Sequence, residues 1–438
     1  MVMPRNLSVY LNGIRVGTLA RATRGLLFVY DTSWIASSVS RPLSLSMPLR
    51  REPYLGDVVE NYFDNLLPDN QAIRNRIQTR FGSPSNRAFD LLWHTGRDCV
   101  GAVQLIPDGA DAVDVRRIEA TPVSDAEIAA ILNNYRTMPL GMRPDVDFRI
   151  SMAGAQEKTA LLRLNDRWCL PSGVTPTSHI LKLPIGRIEH SGMDLSDSVE
   201  NEWLCHLILR EYGVPVANAE MKVFEGAKAL VVERFDRRWA EDGSWLIRLP
   251  QEDMCQAMGV APALKYESDG GPGIQEIMTF LLGSADALED RQVFVRVQVL
   301  FWLMAAIDGH AKNFSIFIRP RGEFSLTPMY DVLSAYPLVA KGQLDPRRLR
   351  MAMAVSGKHR RYEHISIRYR HWLTTAQRSN VSPEEMTLII NELLDRMDDI
   401  ITAVTSRLPR DFPGEVAAAI FDGMRQSRDR LTSQKHER

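Results

Sequence analysis

The chain contains little cysteine and no long apolar run. Only four cysteines occur in 438 residues, without a CxxC pair or the His/Cys spacing of a zinc site: Cys99, Cys169, Cys205 and Cys255. We expect reduced, mostly buried thiols of a cytoplasmic protein. The longest strictly apolar run, residues 299–307, is far shorter than the roughly 20 residues that a membrane helix needs. No membrane partner is therefore expected.

A charge excess is also missing. The formal net charge is -1 at pH 7, so the chain as a whole does not indicate a nucleic-acid or membrane partner. Hydrophobic residues make up 45% and charged residues 24%, which is typical of a globular protein. The first residues, MVMPRNLSVYLNG, place polar side chains where a signal peptide needs an apolar core. These features predict a cytoplasmic protein of about two or three domains.

Hydrophobic periodicity divides the chain into three regions. Residues 1–147 combine alternating segments with a helical insertion and predict a small β-rich subdomain. Residues 148–235 contain six strand-like segments and one helix, and helical periodicity dominates residues 236–438. The pattern predicts an α+β protein with a strand-rich lobe and a mostly helical C-terminal lobe after the N-terminal subdomain.

Local signals predict individual elements. Asn12-Gly13 between two alternating runs indicates a β-hairpin. A helix is expected from about Ser124, a good cap residue, to Tyr135, and another over residues 197–212. The polar tail after Arg425 is expected to fray.

The stretch FWLMAAIDGHAKNF places polar groups where an apolar helix stops. Asp308 and Asn313 have the D-x-x-x-x-N spacing of a protein-kinase catalytic loop, and Asp331 follows on a later segment. Phosphoryl transfer needs a carboxylate to orient the acceptor hydroxyl and hard oxygen ligands for Mg²⁺, which these three side chains can supply. The alternative is a polar cap on a core helix, with Asp331 in an ordinary turn.

Three further segments occur in the order expected of a nucleotide site. SMAGAQEKTALL, residues 151–162, suits a phosphate-binding loop, although a hairpin turn is the alternative. Lys182 lies in the apolar HILKLP, where its charge needs a partner. The next helix offers Glu200 and Glu202, and we favour Glu202 as the structural partner of Lys182; an edge-strand lysine is the alternative. A strand then ends at Glu233-Arg234-Phe235, where a kinase linker presents backbone groups to adenine.

These residues resemble the HipA family, the serine/threonine kinase toxins of bacterial HipA–HipB toxin–antitoxin modules. The resemblance runs from about residue 40 to residue 337 through long matching segments: RPLSLSMPL, NYFDNLLPD, GRDCVGAV, SMAGAQEKTALL, HILKLPIG, VERFDRRW, RLPQEDMCQ, KYESDGGPGI, DGHAKNFSIFI and TPMYDVLSAYP. It implies a bilobal protein-kinase-like fold with an additional N-terminal β-rich subdomain. It also implies a non-specific serine/threonine protein kinase that uses ATP and Mg²⁺.

The resemblance implies a role for each matching residue. Asp308 would be the catalytic base, and Asn313 and Asp331 would hold Mg²⁺. Ser151 would be an autophosphorylated serine whose modification displaces the phosphate loop and silences the kinase. The ATP site would comprise Ala153, Gly154, Ala155, Gln156, Glu157, Lys158, Lys182, Glu233, Arg234, Phe235, His310, Ala311, Lys312, Asn313, Tyr330 and Asp331.

The resemblance further implies substrates and partners. The family phosphorylates a component of translation, a glutamyl-tRNA synthetase in the best-known case, and so inhibits growth and promotes persistence. A HipB-like helix-turn-helix antitoxin would bind the chain, which would act with it as a corepressor at operator DNA. Two alternatives stay open: a small-molecule kinase of the aminoglycoside or choline type, and a non-catalytic corepressor.

One segment is strongly basic. Residues 341–378 contain ten Lys or Arg and two acidic residues, a local net charge of +8. Such a segment suits DNA phosphates beside an antitoxin, and a solvated basic face is the alternative.

Overall fold

The computed structural model describes residues 6–109, 114–134, 158–188 and 192–435. Their contacts divide the chain into two compact units. The first unit comprises residues 1–183, 222–263 and 315–324, and the second comprises residues 184–221, 264–314 and 325–438. The boundaries at residues 147 and 235 stay a prediction.

Short strands run through much of the described chain. They are β1 (Asn6–Leu11), β2 (Ile14–Arg21), β3 (Leu26–Tyr30), β4 (Tyr54–Leu55), β5 (Val103–Pro107), β6 (Ala120–Pro122), β7 (Lys158–Leu164), β8 (Arg167–Pro171), β9 (His179–Lys182), β10 (Gly186–Ile188), β11 (Met193–Leu195), β12 (Ala219–Phe224), β13 (Ala227–Glu233), β14 (Arg237–Trp239), β15 (Leu246–Arg248), β16 (Gln251–Asp253), β17 (Ser315–Ile318), β18 (Phe324–Leu326), β19 (Arg350–Val355) and β20 (Arg361–Glu363).

Helices are concentrated toward the C-terminal half. They are α1 (Thr32–Ile35), α2 (Asp57–Asp64), α3 (Gln71–Phe81), α4 (Ala88–Thr95), α5 (Asp125–Asn133), α6 (Ser198–Glu211), α7 (Met254–Ala257), α8 (Ile274–Phe280), α9 (Ala287–Leu303), α10 (Tyr336–Ala340), α11 (Tyr369–Arg378), α12 (Pro383–Asp395), α13 (Met397–Ser406) and α14 (Gly414–Ser433).

The first unit begins with a five-stranded sheet in the order β4-β3-β2-β1-β5. Asn12 and Gly13 both have positive φ, 47° and 79°, as a two-residue hairpin turn between β1 and β2 requires. The predicted hairpin is therefore confirmed. The predicted helical insertion is also confirmed and consists of α2 and α3, with Asn70 capping α3 through its side chain.

A six-stranded sheet follows in the order β12-β13-β9-β7-β8-β6. The strands predicted from KTALLRL, RWCLPS, SHILKLP and AKALVVERF are confirmed as β7, β8, β9 and β13. Ser124 caps α5 in a capping box with Glu127, as its position before the apolar periodicity predicts. Strand β9 lies between β13 and β7, so Lys182 lies in the interior of the sheet.

The second unit is mostly helical, and its last helix corrects one expectation. The tail was expected to fray after Arg425, but α14 continues to Ser433. Val416, Ile420, Met424 and Leu431 are buried along one face, so apolar packing extends beyond the point where the tail becomes polar. The prediction of a frayed tail was therefore wrong.

Two expectations from composition can be compared with the structure. All four cysteines are buried thiols outside any disulfide, and burial raises the pKa of Cys99 and of Cys205 to about 12. The expected buried thiols are therefore confirmed. In the part of the chain that the structure describes, no helix has the length and apolar character needed to cross a membrane.

Candidate functional site

The loop after α9 carries Asp308 and Asn313. The N–H of His310 donates to the backbone oxygen of Asp308 at 2.8 Å, and the N–H of Asn313 donates to the backbone oxygen of His310 at 2.9 Å. Asp308 is exposed, whereas Asn313 is only 6% exposed. Successive backbone hydrogen bonds therefore hold the two residues in one compact turn.

At the end of α9 the chain turns back so that Gly309 packs closely against the ring of Phe301. Ala305 has a positive φ of 48°, and the N–H of Ala306 donates to the backbone oxygen of Phe301 at 2.7 Å. A Cβ placed on Gly309 would lie 2.5 Å from the ring of Phe301. Glycine is therefore required before His310, since any side chain would collide with the buried aromatic ring.

Asn313 and Asp331 are brought together. The side-chain NH₂ of Asn313 donates to the backbone oxygen of Asp331 at 3.1 Å, and the phenol of Tyr330 donates to the backbone oxygen of Lys312 at 2.8 Å. Asp331 has φ 60°, a conformation that is uncommon outside glycine and is often found at functional sites. The structure thus brings Asn313 close to Asp331, and the roles predicted for both residues stay a prediction.

Asn201 holds the segment that follows Asp331, and the sequence reasoning missed it. Its side-chain NH₂ donates to the backbone oxygen of Ser334 at 2.8 Å, and its Oδ1 accepts from the N–H of Ser334 at 2.9 Å. The N–H of Ala335 also donates to the backbone oxygen of Ala305 at 2.9 Å. Asn201 is 1% exposed in α6, and a buried amide within an apolar helix is the signal that could have found it.

The side chains of Asn313 and Asp331 have the oxygen atoms that a magnesium ion prefers. Because Asn313 donates from its NH₂ group to Asp331, its Oδ1 is the atom left to coordinate a cation. The carboxylate of Asp331 adds a second hard oxygen donor, and Mg²⁺ takes its further ligands from water and phosphate. The described residues contain no cluster of three or more His, Cys, Asp or Glu that could hold a metal ion without such help.

Two lysines lie side by side in the sheet of the first unit. Lys158 in β7 is directly opposite Lys182 in β9, so both side chains point to the same face of the sheet. Lys182 is only 5% exposed. Two lysines on one face of a sheet offer positive charge to an anion that carries several negative charges. This pair is suited to a polyphosphate.

Glu202 lies in α6 and is 2% exposed. Its Oε1 is 3.7 Å from Nε2 of His206, one helical turn later. Its predicted pairing with Lys182 stays a prediction.

The predicted linker continues directly from β13. The N–H of Arg234 donates to the backbone oxygen of Ser178 at 2.9 Å, which extends the pairing of β13 with β9 by one residue. The ring of Phe235 packs against the ring of Phe317, with centroids 5.9 Å apart. Because the N–H of Arg234 is used within the sheet, the backbone groups of Glu233 and Phe235 are the better candidates to meet adenine.

A buried charge cluster anchors this linker, and sequence reasoning did not predict it. The side-chain oxygens of Asp98 lie 2.9 Å from Arg237, 3.1 Å from Arg248 and 3.3 Å from Arg234. Burial alone would raise the pKa of Asp98, but the three arginines together hold it below its usual range. Asp236 adds a second carboxylate, 2.8 Å from Arg234.

The cluster accounts for two of the sequence segments quoted for the HipA resemblance. GRDCVGAV contains Asp98 and Gly101, whose N–H donates to Asp236 at 2.7 Å. VERFDRRW contains the linker and three members of the cluster, Arg234, Asp236 and Arg237. A Cβ on Gly101 would lie 2.5 Å from the backbone oxygen of Gln251, so the residue must be small. These segments therefore fix the linker geometry through buried contacts within the first unit.

Some predicted residues lie outside the described part of the chain. Ser151 and the phosphate-loop residues Ala153, Gly154, Ala155, Gln156 and Glu157 belong to this group, as does the strand expected at residues 147–151. Lys158 is the first described residue after the loop and begins β7.

The basic segment, residues 341–378, is partly paired. Lys341 lies 2.6 Å from Asp197, Arg360 lies 3.1 Å from Glu267, and Arg350 lies 3.3 Å from Glu363. Six further cations of the segment are exposed: Arg347, Arg348, Lys358, Arg368, Arg370 and Arg378. The segment therefore presents positive charge to solvent.

Two protein families match the chain. Residues 7–106 match the HipA N-terminal domain, and residues 150–401 match the HipA-like C-terminal domain. The chain belongs to the HipA family. The predicted family and the mixed α+β fold are therefore confirmed.

Relatives of this HipA-family chain include proteins named as kinases. The "Putative kinase Y4mE" of Sinorhizobium fredii is 32% identical over 405 residues, which cover 91% of this chain and 92% of that protein. The "Serine/threonine-protein kinase toxin HipA" of Shewanella oneidensis is 29% identical over 341 residues, 75% of each chain. The solved Shewanella oneidensis complex of HipA, HipB and operator DNA matches in fold with a TM-score of 0.79 at 22% identity, covering 98% of both chains.

Proposed function

We propose that this chain is a toxin of a toxin–antitoxin module that acts as an ATP- and Mg²⁺-dependent serine/threonine protein kinase. The observation that carries the proposal is the hydrogen bond from Asn313, in the loop that also carries Asp308, to the backbone oxygen of Asp331. The loop and this hydrogen bond supply the groups that phosphoryl transfer needs: the carboxylate of Asp308 and the two proposed Mg²⁺ ligands, Asn313 and Asp331. Membership of a kinase family agrees with it.

Each part of the nucleotide would meet a different group. The backbone of Glu233 and Phe235 would bind adenine, Lys158 and Lys182 would bind the phosphates, and Asn313 and Asp331 would hold Mg²⁺. The metal ion would neutralise phosphate charge. Asp308 would accept a hydrogen bond from the acceptor hydroxyl and take its proton as the phosphate is transferred.

The acceptor is proposed to be a serine or threonine in a protein of translation. The printed name of the Shewanella relative, a serine/threonine-protein kinase toxin, supports the protein-kinase class. A glutamyl-tRNA synthetase is the proposed target, because the resemblance to HipA implies it. Growth inhibition and persistence would follow from its phosphorylation.

The proposed partners are a HipB-like antitoxin and operator DNA, with this chain as corepressor. The solved relative was obtained as a complex of HipA, HipB and operator DNA. The exposed cations of the basic segment supply charge suited to DNA phosphates.

Ser151 is proposed as the regulatory phosphorylation site. Phosphorylation adds roughly two negative charges next to the predicted phosphate loop, which would repel the nucleotide phosphates. The Ser151→Ala variant should therefore stay active during long incubation with ATP. The wild-type chain should lose activity over the same time as Ser151 becomes phosphorylated.

The test is incubation of the purified chain with ATP and Mg²⁺ in a bacterial lysate, followed by phosphopeptide mass spectrometry. Phosphate on Ser151 and on a serine or threonine of another protein supports the proposal. Phosphate only on a small molecule indicates a kinase of the aminoglycoside or choline type. Absence of any transfer, with antitoxin and DNA binding intact, indicates a non-catalytic corepressor.

A further inference from the structure

The segment KYESDGGPGI, residues 265–274, has no part in the function proposed so far, yet it reaches Asp308. The phenol of Tyr266 donates to Oδ1 of Asp308 at 2.5 Å. The Tyr266 ring also meets the ring of His310 edge-on, with centroids 5.0 Å apart. One residue earlier, the backbone oxygen of Lys265 accepts from the N–H of Ala311 at 3.1 Å. Three contacts therefore join this segment to the loop of Asp308.

The glycines of the segment allow Tyr266 to take this position. The backbone oxygen of Tyr266 accepts from the N–H of Gly271 at 3.0 Å, which closes a tight turn. A Cβ on Gly271 would lie 1.9 Å from the backbone oxygen of Leu264, and Gly270 has φ 100°. Side chains at either position would open the turn and move Tyr266.

A buried glutamate fixes the other side of the turn. Glu267 accepts from the N–H of Ala354 in β19 at 2.6 Å and from Arg360 at 3.1 Å. Strand β19 is itself joined to the residue before Asp308, since the N–H of Ala352 donates to the backbone oxygen of Ile307 at 2.9 Å. Tyr266 and Asp308 are therefore carried by one connected framework within the second unit.

We propose that Tyr266 is a positioning residue that holds the Asp308 carboxylate in the orientation needed for the acceptor hydroxyl. This rests on the proposed kinase function. A carboxylate has two oxygens, and a donor on Oδ1 restricts rotation of the group while Oδ2 stays available to the acceptor. Asp308 is exposed, so without this bond its side chain would rotate freely in solvent. Orientation of the reacting groups is a large contribution to catalysis of this kind.

The test compares Tyr266→Phe in the full chain with wild type. Phenylalanine keeps the ring against His310 and removes only the phenol, so the fold should persist. We expect kcat to fall about 10- to 100-fold while the KM for ATP and the thermal midpoint stay unchanged. Tyr369→Phe is the matched control, because it removes a phenol that donates to Thr387 at 2.9 Å in the same unit.

An unchanged or increased kcat in Tyr266→Phe would overturn the proposal, and an increase would mean that Tyr266 competes with the acceptor. A crystal structure of the variant separates this idea from the kinase function itself. We expect the Asp308 side chain to leave its single orientation in the variant. If wild type transfers no phosphate, the proposed kinase function fails. The crystal structure of the variant still shows whether Tyr266 holds the Asp308 side chain in one orientation.

Discussion

At the scale of single residues, Asp98 is the carboxylate that three buried arginines share. It is buried with three arginines around it, so its removal leaves their buried charges poorly compensated. We predict that Asp98→Asn lowers the free energy of unfolding by about 3–5 kcal/mol, measured by denaturant titration. Asp31→Asn is the control, since Asp31 pairs with Arg15 at the surface and its loss should cost about 1 kcal/mol or less. Equal losses in the two variants would contradict the account.

Glu252 gives the stability a pH dependence. It is fully buried, its Oε1 accepts from the N–H of Leu45 at 2.8 Å, and burial raises its pKa from 4.5 to about 8. A carboxyl whose pKa is raised by folding contributes stability that is fully present below pH 4.5 and is lost as the pH rises through about 8. The loss is at most about 1.4 kcal/mol per pH unit for one group.

We predict that Glu252→Gln removes most of this dependence. Glutamine keeps an oxygen for the Leu45 N–H and does not ionise, so the variant should gain stability over wild type as the pH rises from 5 to 9. Unfolding titrations at pH 5, 7 and 9 measure the effect, with the exposed Glu225→Gln as control. Parallel curves for wild type and Glu252→Gln would show that Glu252 is not the source.

The loop between α9 and β17 is the element on which the candidate site depends. We predict that Gly309→Ala distorts it, because the added Cβ would lie 2.5 Å from the Phe301 ring, which is buried and cannot swing away. Overpacking should cost about 1–3 kcal/mol of stability and lower phosphoryl transfer more than about 10-fold. Gly414→Ala, where the new Cβ meets nothing within 4 Å, should change neither the unfolding free energy nor the rate by a comparable amount.

Local patterns predicted elements well because their causes are local. Asn12-Gly13 specifies its hairpin through positive φ, and Ser124 specifies a helix start through its own hydroxyl. The contacts of the candidate site have a different origin. Tyr266 is 42 residues from Asp308 along the chain, and Asp98 is 136 residues from Arg234. Periodicity and spacing contain no information on such pairs, so they could be found only in the fold.

At the scale of the whole molecule, charge is distributed unevenly. The chain has a net charge of -1, yet residues 341–378 have +8. We predict that a triple variant, Lys358→Gln with Arg368→Gln and Arg370→Gln, weakens operator binding by the proposed complex with the antitoxin. The slope of log affinity against log salt should fall by about 0.9 for each phosphate contact that is lost. Arg410→Gln, an exposed cation of the same unit outside the segment, is the control. An unchanged slope in the triple variant would mean that these three cations face solvent and do not contact DNA.

The most direct test of the central claim is phosphate transfer by wild type and Asp308→Asn, measured side by side with ATP, Mg²⁺ and a bacterial lysate. The substitution preserves shape and removes the carboxylate, so ATP affinity and the thermal midpoint should not change. The account predicts phosphoserine or phosphothreonine with wild type and a loss of at least about 100-fold with Asp308→Asn. An Asp308→Asn rate equal to that of wild type would contradict it.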